Sequence, residues 1–194
     1  MPKKSEMTDH DYIHVYDYKA QKAEKPAVEV LAEQVMDDGA KAEFLAFVGY
    51  LKQQNMTLRW FVTNSYNVMY KGSKVAQIYI FDGSDTHHRW RIKINTAAQK
   101  ETFGEFLEGL SGEIVDLYRE KFSGQKCVGC SGCAPGETFD FAGGHYENVC
   151  NGSNGVRIFY FRNPDAEQTE TIKKLIDIRK EFILKMKPLG YNNP

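Results

Sequence analysis

The sequence predicts an α+β protein: two related antiparallel β-meanders of three to four strands each, with flanking amphipathic helices. Three observations carry that expectation. Aromatic and β-branched runs follow one another with turn residues, not helices, between them. Helical periodicity is confined to the segments around those runs. Two hairpins also align without gaps, Tyr70–Phe81 over Cys150–Phe161, at a constant offset of 150 − 70 = 80.

Residues 1–26 are polar, rich in Lys, Asp and Tyr, and end at Pro26, which reads as an arm loosely ordered or laid across the fold. Residues 27–123 hold two helices, the first meander and a long helix. Val28, Leu31, Ala32 and Val35 recur at helical spacing, with Gly39 as the expected stop. Phe44, Leu45, Val48 and Leu51 mark the second helix. TLRWFVTN, YNVMYKG, KVAQIYIFDG and HHRWRIKIN then read as strands, separated by turn signals at Asn64-Ser65, Lys71-Gly72-Ser73 and Asp82-Gly83-Ser84. Phe103, Phe106, Leu107, Leu110, Ile114, Leu117, Tyr118 and Phe122 predict one continuous helix.

Residues 124–136 form a cysteine loop, and 137–194 a second meander and a C-terminal helix. ETFDFAG, HYENVC and GVRIFYFRN are its strands. In the last helix Asn163 is the expected cap, with Pro164 and Asp165 in the first turn. Ile172, Leu175, Ile176, Arg179, Phe182, Ile183 and Met186 form the inner face, and Pro188 is the stop.

The meander containing Trp60, Tyr70-Lys71-Gly72, Val75, Ile78 and Trp90-Arg91-Ile92-Lys93, followed by a long helix, resembles the small bacterial α+β domains of the YjbR/YdhG type. The resemblance covers about residues 40–122 and again 137–187. It implies the sheet-and-helix arrangement, present twice, and it brings no catalytic residues.

Chemistry concentrates in KCVGCSGCAPG. Cys127, Cys130 and Cys133 are spaced C-x2-C-x2-C, and Cys150 follows 17 residues later. Thiolates in such spacing suit a tetrahedral zinc site, and Gly129, Gly132 and Gly136 let the backbone wrap an ion. The four cysteines are the expected ligands, with His145 as a substitute. Four ligands close the shell, so a structural role is favoured over catalysis. An iron–sulfur cluster is the alternative, although Asn151 follows Cys150 where a proline is usual. Free thiols, with redox sensing, are the third reading.

Trp60, Tyr79 and Trp90 are candidate lining for a small-molecule pocket between the related sheets, set against ordinary core packing. His87-His88 reads as a solvated turn, and His10/His14 as a weak metal pair. No P-loop, G-x-S-x-G, H-E-x-x-H or dinucleotide fingerprint occurs, so no reaction is assigned and the reading leans away from an enzyme. Hydrophobic content of 42% is ample for a packed core. A net charge of −1 without a basic stripe argues against nucleic acid. No apolar run is long enough to span a membrane. Lys3 and Lys4 precede no apolar run, so no signal peptide is expected and the cytoplasm is the expected location.

Overall fold

The computed structural model describes residues 18–80, 90–96, 103–129, 135–150 and 155–186. The helices among them are α1 (Tyr18–Glu24), α2 (Val28–Val35), α3 (Asp38–Gln53), α4 (Phe103–Glu108), α5 (Glu113–Gly124) and α6 (Ala166–Met186). The strands are β1 (Thr57–Val62), β2 (Ser65–Tyr70), β3 (Ser73–Ile80), β4 (Trp90–Asn95), β5 (Glu137–Phe141), β6 (Gly144–Val149) and β7 (Ile158–Arg162). The fold is α+β. One sheet has the order β1-β2-β3-β4-β7, and β5-β6 is a separate hairpin.

The strands therefore do not divide into two meanders. β7, expected to pair within the second, instead continues the first sheet beside β4. Thr96 N donates to Arg157 O at 3.0 Å, and Asn163 N donates to Trp90 O at 2.9 Å. Aromatic and β-branched content specifies that a segment is a strand, but not its neighbour. A strand left at the sheet edge would expose a row of backbone donors and acceptors, and β7 satisfies those of β4.

Helix boundaries follow capping chemistry. Gly39 does not stop α2; it lies in the first turn of α3, which Asp37 caps by accepting Ala40 N at 3.0 Å. The expected long helix breaks between α4 and α5 at Gly109–Gly112, where Gly112 has φ +58°. Asn163 does not cap α6. Its Oδ1 accepts Trp90 N at 2.9 Å, and the cap is Asp165. Asp165 Oδ1 accepts Gln168 N at 2.8 Å while Gln168 Oε1 accepts Asp165 N at 3.3 Å, a reciprocal capping box.

The chain forms two compact units. One comprises the described residues up to Lys93 with Tyr160–Thr169, the other Ile94–Phe159 with the described residues from Glu170 on. In the first, Phe44 and Phe47 of α3 pack on Trp90, with ring centroids 5.1 and 5.5 Å apart. Tyr66, Val68, Ile78 and Ile80 are buried in the same core. Within residues 1–26, α1 is part of this unit, and its Gln21 is 1% exposed. The second unit is built around aromatic rings: Phe103, Phe106, Tyr118 and Phe122 from α4 and α5, Phe139 and Phe141 from β5, and Phe182 from α6. Edge-to-face contacts dominate, which suits the ring quadrupoles.

Candidate metal centre at the cysteine loop

The cysteine loop starts where α5 ends. Its first residues add to β6 as a short antiparallel ladder, with Lys126 bridging Val149. Cys127 N donates to Asn148 O at 2.7 Å, and Cys150 N donates to Gln125 O at 2.8 Å. Asn148 Nδ2 also donates to Cys127 O at 3.1 Å. Two cysteines separated by 150 − 127 = 23 residues thus flank one bridge, diagonally across it. Diagonal neighbours on such a ladder stand about 7–8 Å apart. That is at or beyond the span a disulfide accepts, yet two thiolates reaching inward can share an ion with bonds of about 2.3 Å. Both thiols are free and half-buried.

Gly136 closes the loop against the same strand. A Cβ there would lie 2.8 Å from the Cβ of Cys127 and 2.8 Å from the carbonyl carbon of Asn148, so only glycine allows this approach. Asn148 itself has φ +53°, a bulge that bends β6 where it meets the loop. Cys130 and Cys133 lie outside the described residues, as do His10, His14, His87 and His88. Among the described residues, no three His, Cys, Asp or Glu side chains converge as a ligand set.

His145 is not brought to the cysteines. It stands at the other end of β6, separated from Cys150 by five residues, or about 16 Å of extended strand. Its Nδ1 lies 2.6 Å from Asp140 Oδ1 and its Nε2 3.3 Å from Glu147 Oε1. The Asp140 hydrogen bond, then that of Glu147, raises its pKa above the usual value. It faces solvent beside the Ala142-Gly143 turn, where both central residues have positive φ as a tight hairpin turn requires.

Trp60, Tyr79 and Trp90 are likewise separated. Trp90 is core, enclosed by Phe44 and Phe47. Tyr79 pairs with Ser65 on the opposite sheet face from the adjacent Tyr66–Ile78 pair, and the Arg91 guanidinium lies 4.2 Å from its ring centroid. Trp60 is half-buried, donating Nε1 to Gln21 Oε1 at 3.2 Å. It lines a cavity of about 520 Å³ together with Lys25, Pro26, Leu58, Arg59 and Tyr66. Gln21 is not among the residues the sequence singles out, because it lies in a segment whose polar composition reads as an arm.

No protein-family model matches the chain, and neither the curated proteins nor the solved structures contain a match to it. No helix among the described residues is long and apolar enough to cross a membrane.

Proposed function

We propose that the protein is a binding module whose cysteine loop is clasped by a structural zinc ion, with Cys127, Cys130, Cys133 and Cys150 as thiolate ligands. One observation carries the reading: the Lys126–Val149 bridge sets Cys127 and Cys150 on adjacent strands at the mouth of the loop that contains the other two cysteines. The ladder already tethers the loop to β6, so the ion has less chain to order and its binding adds directly to folding. The close fit of Gly136 supports the same arrangement, because it returns the loop to Cys127 after Cys133.

Elemental analysis of the full chain purified without added metal tests this. The expected result is one zinc per chain, lost in Cys150→Ser together with several degrees of melting temperature. Zinc near zero with four freely titrating thiols overturns it. A brown protein with broad visible absorption replaces zinc by an iron–sulfur cluster. A second reading, small-molecule binding, is supported by the cavity beside Trp60. It requires tryptophan fluorescence to respond to a bound metabolite.

A further inference from the structure

The second unit buries a charge that nothing among its described residues neutralises. Arg179 lies on the inner face of α6 and is 0% exposed. Its Nε, Nη1 and Nη2 have no hydrogen-bond partner, and no carboxylate lies within ion-pair distance of it among the described residues. Burial pushes its pKa down to about 10, which leaves it cationic at neutral pH. A guanidinium carries five donors in a rigid fork, and an uncompensated buried charge is strongly unfavourable.

Tyr118, on α5, shares the predicament. Its hydroxyl is buried and has no hydrogen-bond partner of good geometry among the described residues. The neighbouring Thr96 hydroxyl cannot be counted as its donor, because Thr96 Oγ1 donates to Arg157 O at 2.9 Å. Tyr118 and Arg179 are close enough to influence each other electrostatically. Around them the surfaces are rings. The guanidinium stands 5.7 Å from the Phe182 ring, Phe182 meets Phe106 edge-on at 5.4 Å, and Phe106 meets Tyr118 at 6.1 Å.

We propose that Arg179 and Tyr118 form a buried site for a small organic monocarboxylate. The carboxylate takes two parallel N–H···O bonds from the guanidinium fork and one O–H···O bond from Tyr118, and the apolar body of the ligand lies against Phe106 and Phe182. Charge selects the class. One buried cation is matched by one negative charge, whereas a dianion would leave an unmatched charge among rings. The ring lining favours an apolar body over a bare inorganic ion. This site is independent of the cysteine centre, so either can fail alone.

Thermal-shift and calorimetric titrations of the full chain with sodium benzoate, acetate and phosphate, at ionic strength matched with chloride, test the assignment. Benzoate is expected to raise the melting temperature saturably, acetate to act more weakly, and phosphate to act no more than chloride. Tyr118→Phe should weaken benzoate binding by about tenfold and Arg179→Lys by roughly 10–100-fold, since one ammonium cannot reproduce the fork. Arg179→Met should abolish it. If Arg179→Met does not fold, as judged by circular dichroism, Arg179→Lys decides. Three results overturn the proposal: no carboxylate response, benzoate affinity undiminished in the Arg179 variants, or a response to phosphate without one to benzoate.

Discussion

Gln21 in one unit and Arg179 in the other are long polar side chains that helices carry into apolar surroundings. Gln21 meets partners at both ends of its amide. Its Nε2 donates to Asn64 Oδ1 at 2.7 Å, while its Oε1 accepts Trp60 Nε1 at 3.2 Å and Asn64 N at 2.9 Å. Arg179 lies over the Phe182 ring and has no hydrogen-bond partner among the described residues. The contrast separates two uses of a buried polar group. A satisfied one fixes geometry, here the docking of α1 against the β1–β2 turn. An unsatisfied one with a formal charge costs stability unless something binds it.

The largest expected effect tests the satisfied side. Gln21→Ala leaves Trp60 Nε1 and Asn64 N without an acceptor and opens a gap under α1. It should lower unfolding stability by about 2–4 kcal/mol in urea denaturation. A loss below about 0.5 kcal/mol would mean that water replaces the amide without penalty and that α1 is not held through Gln21.

The opposite sign is expected at Arg179. In chloride buffer with no carboxylate present, Arg179→Met removes a buried charge and substitutes an apolar chain of similar length. It should stabilise the fold by about 1–4 kcal/mol. Destabilisation of similar size would show that Arg179 has partners comparable to those of Gln21, and the contrast between the two residues would collapse.

Much of this contrast was legible in the sequence, but unevenly. The spacing Ile172, Leu175, Ile176, Arg179, Phe182, Ile183, Met186 places Arg179 in the apolar stripe of α6 without any structure. Its lack of a partner was not legible, because partners come from segments that periodicity does not connect. The seven described strands were readable from composition, whereas the pairing of β7 with β4 was not, since composition marks a strand without specifying its neighbour. At the cysteine loop, spacing singles out four thiols as candidates, and the Lys126–Val149 bridge adds that Cys127 and Cys150 are neighbours. His145 looked interchangeable with the cysteines only while the direction of β6 was unknown. The helix break at Gly112 lay hidden inside an unbroken apolar rhythm; only the glycine at a positive φ signalled it.

The smallest effect sharpens the comparison through pH. Lys121 belongs to the same aromatic cluster as Tyr118, its Nζ standing 4.5 Å from the Phe159 ring centroid, and burial pushes its pKa down from 10.5 to about 8. Between those two values the unfolded chain still holds a proton that the folded chain has released. Folding stability therefore increases as pH rises through that window, and the penalty for burying the ammonium is fully present below about pH 8. Because the ammonium is only partly buried, solvent screens it and the gain is modest. Urea denaturation at pH 7.5 and pH 9.5 should show wild type gaining stability relative to Lys121→Met, which already lacks the charge. If the two proteins change in parallel, the Phe159 ring compensates the ammonium in place, and Arg179 alone carries the uncompensated charge of this cluster.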